Sequence, residues 1–490
     1  MDSNARWRRA LIGSLVAATL GGSAAVRAGE PALPVVFVHG FSGSAQQYET
    51  QALRWASNGY PKPVTAIDRR FVGFTLEQLD AFIDAVLAQT GDTKVYAIGH
   101  SAGTFVMTSY LNSSPERAAR VAKYIGIDGA SNATCPGGVD ASGEPNVPCM
   151  GVWARGSTTR MVGPDHNVYL SEQGHTQSVT SPESFAAQYE FLTGEPPQTT
   201  LILPGPPRDV TIAGRALNFP DNTGIDGAVL ELWEVLAITG ERARSSPEQV
   251  ATVDASGSFG PWPVHPAKRY EINVIRQADD GPRYQHFYYE PWIRSDHLVR
   301  LNISPIGSTL SNTIREHAGP SAGASIVRQK EWWGSNDVDA SNVDALEVTT
   351  SVPKRSTLAA RATCALLGGP PQQCDVEAVG NIVTPGTAPY AASTIAMIAF
   401  DVGADGVSDT SALVSLGPFL SGIDTYMPAP DAGPRGVVTF HVNARREPDD
   451  QVIRTPNWPM DGDHFMTVTF REWTQQIDTW TECKLAGLCR

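Results

Sequence analysis

Lys94-Val-Tyr-Ala-Ile98, Gly99-His-Ser-Ala-Gly103 and Thr104-Phe-Val-Met-Thr-Ser-Tyr-Leu111 follow one another without a break, and the fold turns on how they are read. Lys94–Gly99 is a short apolar run, the pattern of a strand buried on both faces. Ala102–Leu111 reads as a helix. Between them lies G-x-S-x-G, whose small neighbours let the chain turn sharply from strand to helix. That turn lifts the Ser101 hydroxyl to the top of a sheet and aims the first helical amides at the same place. Ser101 is therefore the candidate nucleophile. A second copy of the pattern, Gly319-Pro-Ser-Ala-Gly323, is a useful control. It has proline beside the serine and no apolar strand before it, so it reads as a loop.

Outward from this stretch, strands and helices alternate from Pro34 to Gly194. The strands are Pro34–His39, Val64–Asp68, Val121–Ile127, Val147–Trp153 and His166–Leu170. Residues 44–58 read as a helix. Thr75–Gln89 is another, with Leu76, Leu79, Phe82, Ile83, Val86 and Leu87 on one stripe. Ser181–Leu192 is a closing helix, opened by a Ser-Pro-Glu cap. The alternation implies an α/β fold: a mostly parallel sheet with helices on both faces.

A serine nucleophile needs an oxyanion site, a base and an acid that orients the base. The amide of Ala102, next after Ser101, supplies one oxyanion donor. The loop after the first strand, His39-Gly40-Phe41, offers the amide of Phe41 as the second. Four histidines compete for the role of base. His39 belongs to the oxyanion loop, His100 adjoins the nucleophile and is expected to point away, and His166 starts a strand. His175 lies in Ser171-Glu-Gln-Gly-His-Thr, after the last strand and last in chain order, and is the candidate base. The acid has two candidates. No carboxylate follows Val147–Trp153, whereas Asp128 ends Tyr124-Ile-Gly-Ile-Asp with Gly129 behind it. Asp128 is favoured. Asp165 is the rival, being near His175 in sequence but placed before the last strand. This chemistry requires no metal and no cofactor.

The N-terminus carries Arg6, Arg8 and Arg9, an apolar stretch from Ala10 to Ala25, and Val26-Arg-Ala28. That is the layout of a signal peptide over residues 1–28. It is too short for a span, and no later segment reads as transmembrane. Six cysteines fall in close-set couples, Cys135/Cys149, Cys364/Cys374 and Cys483/Cys489, as expected for local disulfides in an exported protein. Fifteen connectivities remain formally open. The expected location is extracellular or periplasmic. With 37 Lys+Arg against 51 Asp+Glu, the net charge is −14. Such an acidic chain excludes a nucleic-acid binder with a basic face. At 41% apolar residues and 11 Trp it is not disordered either.

The alternation stops near residue 195, at Glu195-Pro-Pro-Gln and Pro204-Gly-Pro-Pro207. Strand-like runs then follow closely: Val229–Val235, Tyr270–Arg276, His286–Glu290, Ile395–Phe400, Val437–Val442 and Met466–Phe470. Tyr270, Ile272 and Val274 alternate with polar neighbours, and Asp279-Asp-Gly281 reads as a hairpin turn. The expected division is 29–197 for the α/β domain, 198–300 for a β-sandwich-like module and 301–490 for a second β-rich module. Asp401-Val-Gly-Ala-Asp-Gly406 and Asn336-Asp-Val-Asp339 lack EF-hand spacing and read as polar turns.

The elements His39-Gly40-Phe41, Gly99–Gly103, Asp128 and Gly174-His175 resemble those of a minimal α/β-hydrolase lipase. The whole chain resembles archaeal-type secreted lipases, which join a small hydrolase domain to a C-terminal β lipid-binding domain. In that group the acid likewise follows the earlier strand. The resemblance implies hydrolysis of fatty acyl esters, with triacylglycerol as the leading substrate, through an acyl-enzyme at a lipid-water or polymer interface. Two other classes stay open. One is an esterase directed to polyester or polysaccharide, with exposed Trp as a platform. The other is a non-catalytic binding protein on a hydrolase core.

Overall fold

Six parallel strands carry the N-terminal region: β1 (Val35–Val38), β2 (Val64–Ile67), β3 (Val95–His100), β4 (Val121–Ile127), β5 (Cys149–Trp153) and β6 (Asn167–Tyr169). Their order is β2-β1-β3-β4-β5-β6, and every neighbouring pair is parallel. The helices are α1 (Glu49–Ser57), α2 (Leu76–Thr90), α3 (Ala102–Ser113), α4 (Pro115–Ala119), α5 (Gln177–Thr180) and α6 (Pro182–Thr193). The computed structural model describes residues 31–276, 282–305, 308–317, 319, 321–333, 344–353, 376–383, 394–409, 413–417, 419–430, 434–445 and 451–471. Residues 1–30 fall outside it, as do Cys364, Cys374, Cys483, Cys489, the Asp279–Gly281 turn and the Asn336–Asp339 segment.

The two-residue period of a strand sends alternate side chains to opposite faces. Val35 and Phe37 enter a core with Tyr48, Trp55, Phe185 and Leu192. Val36 and Val38 enter another with Ile83, Val86, Met107 and Tyr110. The helix expected over 44–58 is split into a 3-10 turn, Ala45–Tyr48, and α1. Helix α2 starts with a capping box between Thr75 and Gln78, which satisfies two of its orphan amides, and it ends at Gly91 with φ 72°. Helix α6 starts as its sequence indicates, with the Ser181 hydroxyl accepting from the Ser184 amide and Pro182 in the first turn.

The rest of the described chain is largely β. A nine-stranded sheet runs Gln249–Thr252, Val229–Val235, Arg269–Ile275, Tyr284–Tyr289, His464–Phe470, Ala324–Arg328, Ala396–Phe400, Leu420–Asp424 and Leu413–Gly417. A sheet built on Thr211–Asn218, Ser258–Pro263 and Asp296–Ile303 shares a core with its first half. A second, with Ala345–Pro353, Val437–Asn443 and Gln451–Pro456, shares a core with its other half. Tyr284–Tyr289 pairs in parallel with His464–Phe470, so one sheet draws strands from both sides of residue 300.

The polar neighbours in Tyr270–Arg276 do not face water. Glu271 and Asn273 are buried, because both faces of the strand are covered. Glu271 is kept ionised there by His286 Nδ1 at 2.8 Å and Arg242 Nη2 at 2.5 Å.

Candidate active site

Ser101 stands between β3 and α3 with φ 50° and ψ −119°, a left-handed conformation that strains a residue with a side chain. Its neighbours hold it there. The Ser101 amide donates to the Ile127 carbonyl at 2.9 Å, and its carbonyl accepts from the Thr104 hydroxyl at 2.6 Å. The two glycines of the motif are needed for space. A Cβ on Gly99 would lie 2.8 Å from the Gly103 carbonyl oxygen, and one on Gly103 would strike the Val38 carbonyl. Small residues thus let α3 lie directly on the sheet.

Asp128 ends β4 with φ 40°, also left-handed. Its Oδ2 accepts from His175 Nδ1 at 2.5 Å. Its Oδ1 accepts from the Ser157 hydroxyl at 3.0 Å and the Ala154 amide at 3.4 Å. Arg160 lies 3.6 Å away. Burial raises the Asp128 pKa, but the hydrogen bond and charge of His175, with Ser157, outweigh it and hold the carboxyl below its usual range. Of the two candidate acids, the structure brings Asp128 to His175. Asp165 is exposed on the loop before β6. His166 is exposed too, its ring 5.3 Å from that of Phe191.

His100 does not simply point away from the site, as its place beside Ser101 suggests. It is buried, its Nε2 donates to the His175 carbonyl at 3.1 Å, and the two rings lie 4.5 Å apart. Burial, then the proximity of His175, holds its pKa well below the usual range. His100 is thus a neutral prop behind His175.

His39 and Arg69 shape the loop that holds Phe41. The Arg69 amide donates to His39 Nε2 at 3.0 Å, so the ring proton sits on Nδ1 and is donated to the Gly40 carbonyl at 2.8 Å. Burial, then Arg69, lowers the His39 pKa to about 4, which keeps this tautomer neutral. Arg69 Nη2 also donates to the Gly40 carbonyl, at 2.9 Å. In a trans peptide the N–H points opposite to the C=O. Drawing the Gly40 carbonyl toward Arg69 therefore turns the Phe41 N–H the other way.

Gly40, Phe41, His100, Ser101 and His175 line one cavity of about 1350 Å³, counted to its open mouth. The β-rich region adds apolar walls, Phe219, Phe287, Ile395, Ile398, Phe419 and Phe465, alongside polar residues such as Arg276 and Gln285. The Phe419 ring is parallel to that of His175, 6.3 Å away. Sequence reasoning found none of these walls. They come from strands and turns spread between residues 219 and 465, and no local motif marks them. The tryptophans of the β-rich region offer no exposed platform among the described residues: Trp233, Trp262, Trp292, Trp332, Trp333 and Trp458 are all buried.

Three other expectations resolve locally. Cys135 and Cys149 form a disulfide, Cα–Cα 5.6 Å, that clips the loop after Asp128. Asp401 accepts from the amides of Asp405 and Gly406, which makes its segment a carboxylate-capped turn. No helix among the described residues is long and apolar enough to cross a membrane.

The parallel sheet with its strained serine turn is that of an α/β hydrolase, and the model of the alpha/beta hydrolase fold matches residues 34–131. The model of a lipase C-terminal domain matches residues 208–306, and a further C-terminal domain model matches residues 312–474. The N-terminal region therefore has the fold of an α/β hydrolase, and the region after it carries matches to C-terminal domains, one of them a lipase C-terminal domain. No curated protein matches it. Among solved structures it is similar to a gene product of Listeria innocua, at 12% identity over 35% of this chain and 97% of that one, TM-score 0.27. It is also similar to lipase B of Aspergillus fumigatus, at 13% identity over 34% of this chain and 54% of that one, TM-score 0.25. An acetylxylan esterase matches at 12% identity over 33% of this chain and 99% of that one, TM-score 0.21. Likenesses this distant add nothing to the assignment.

Proposed function

We propose that the protein is an exported carboxylic ester hydrolase, most specifically a triacylglycerol lipase, working through an acyl-enzyme on Ser101. His175 takes the Ser101 proton as the hydroxyl attacks the ester carbonyl, then returns it to the leaving alcohol. Asp128 holds the imidazole in the tautomer that leaves Nε2 free to accept, and stabilises its cation. The amides of Ala102 and Phe41 receive the oxyanion. Water then attacks the acyl-enzyme by the same route, with His175 again as base.

The observation that carries this reading is the His175–Asp128 bond on the cavity that Ser101 lines. The cavity's aromatic and aliphatic walls suit a fatty acyl chain. Export is supported by the basic and apolar N-terminal segment and by the Cys135–Cys149 disulfide. The test is hydrolysis of a chain-length series of p-nitrophenyl esters and of emulsified triglyceride. Wild type should cleave medium and long acyl esters, and Ser101→Ala should cleave none. Full activity in that variant rejects the scheme. Activity confined to short soluble esters rejects the lipase assignment and leaves an esterase.

A further inference from the structure

The two amides that directly follow His175, those of Thr176 and Gln177, turn toward the C-terminal region and meet a carboxylate there. Thr176 N donates to Glu331 Oε1, and Gln177 N to Glu331 Oε2 at 3.3 Å. Glu331 lies beyond the strand Ala324–Arg328, more than 150 residues away in sequence, and is 0% exposed. A carboxylate in that position is costly unless both oxygens are bonded. Here each accepts one backbone N–H. Two converging donors select a carboxylate over an amide, because glutamine would turn an N–H₂ toward one of them.

The glutamate is itself held in place. Arg445 Nη1 donates to the Glu331 carbonyl at 2.6 Å, and Arg445 Nη2 to the Gln177 side-chain oxygen at 2.8 Å. The Arg445 guanidinium lies 3.9 Å from the Trp333 ring centroid, and Asp344 bonds it at 2.5 Å. Opposite Glu331, the chain must be bare. A Cβ on Gly174, the residue before the base, would strike the Glu331 carboxylate. The base is thus flanked by a glycine that admits the carboxylate and by two amides that bind it.

We propose that Glu331 is a positioning residue for His175. By fixing the Thr176–Gln177 peptides, it sets the direction in which the imidazole leaves the backbone, so that Nε2 faces Ser101 while Nδ1 keeps Asp128. The inference rests on the roles proposed above for Ser101 and His175. It makes the C-terminal region part of the catalytic apparatus as well as a wall of the substrate cavity.

The test uses the full chain and three readouts: kcat and KM on p-nitrophenyl butyrate, the rate of phosphorylation of Ser101 by diethyl p-nitrophenyl phosphate with release of p-nitrophenolate, and Tm. Glu331→Gln should lower kcat and the phosphorylation rate together by about ten- to a hundred-fold, because small misplacements of a catalytic group are costly. KM should stay within about twofold, and phosphorylation should still run to completion, which shows the fold is intact. Glu331→Asp keeps both acceptors on a shorter arm and should fall between wild type and Glu331→Gln. Arg294→Gln is the control on the same seam between regions. Arg294 donates to the carbonyls of Leu203 and Ala56, far from the base in the chain. It should lower Tm and leave kcat unchanged.

The proposal is overturned if Glu331→Gln lowers Tm alone, if Glu331→Asp is no better than Glu331→Gln, or if Arg294→Gln loses as much kcat. Should Glu331→Gln not fold, Glu331→Asp against Arg294→Gln decides by the same criteria. Ester hydrolysis surviving in Ser101→Ala would instead remove the underlying reading, whatever Glu331 does.

Discussion

Gly99–Gly103 and Gly319–Gly323 carry the same five-residue pattern in opposite settings. The first leaves a parallel strand, turns through a left-handed serine and starts a twelve-residue helix. In the second, Ser321 is buried, bridges to Pro428 and runs on into the strand Ala324–Arg328. The glycines differ as well. A Cβ on Gly103 meets a backbone carbonyl, which cannot yield, whereas a Cβ on Gly323 meets side chains, the flexible end of Met460 first and then the edge of the Phe465 ring. A motif of small residues therefore has chemical meaning only where a strand and a helix make a turn that needs them. The residues before and after the pattern tell the two copies apart, and the pattern itself does not.

The largest expected contrast is in rate. Ser101→Ala should lower kcat by about 10⁴-fold or more. Ser321→Ala should leave it unchanged, and equal losses in the two variants would erase the distinction. Next in size is the acid. Asp128→Asn should cost about 10²- to 10⁴-fold in kcat, by losing the tautomer that orients His175. Asp165→Asn, on an exposed loop, should cost less than about twofold. Titration of kcat in the two variants measures the difference.

Stability should separate the glycines by less. Gly103→Ala forces α3 off the sheet and should cost about 3 kcal/mol in denaturant unfolding. Gly323→Ala displaces the Met460 end and presses on the edge of the Phe465 ring, both side chains, and should cost about 1 kcal/mol. A reversed order would mean that the sheet yields more readily than the Met460 side chain.

The smallest expected effect is on acid stability at the seam between regions. Asp68 accepts from Arg300 at 2.9 Å, Arg215 at 2.8 Å and the Ala45 amide at 2.8 Å. Burial raises its pKa, but the arginines, Arg300 first, outweigh that and hold it below the usual range. A depressed folded pKa contributes stability above the unfolded value of about 4, and that stability is lost as pH falls toward the folded value. Wild-type Tm should therefore drop below about pH 4. Asp68→Asn should lower Tm at neutral pH and flatten the acid drop. An acid drop of unchanged size in that variant would place its origin elsewhere.

The α/β region was legible because its signals are local. Val35–Val38 and Val95–Ile98 are apolar throughout, so they read as strands covered on both faces. Thr75 with Gln78, and Ser181 with Pro182, mark helix starts through side chains a few residues away. Asp128 was legible as a candidate from its place at a strand end before a glycine, and its contact with His175 came only from the fold. The first turn of the 44–58 helix was not, because a 3-10 turn and an α-helix share nearly the same side-chain period. His100 was misjudged because its contact with His175 depends on a loop 75 residues further along. The burial of Glu271 was not legible, because alternation shows which side chains leave one face of a strand and is silent on what covers the other.

The order of strands and helices, the strained serine turn and the candidate nucleophile, base and acids follow from residues near one another in the chain. Backbone sterics, strand alternation and capping act over a few residues, and sequence records them directly. Tertiary structure alone decided that Asp128 and not Asp165 reaches His175. It alone brought Phe287, Phe419 and Phe465 to the cavity beside Ser101, and set a buried Glu331 against the amides after His175. Those choices rest on distances between segments that only packing brings together, where burial turns a hydrogen bond to a distant carboxylate from an option into a requirement.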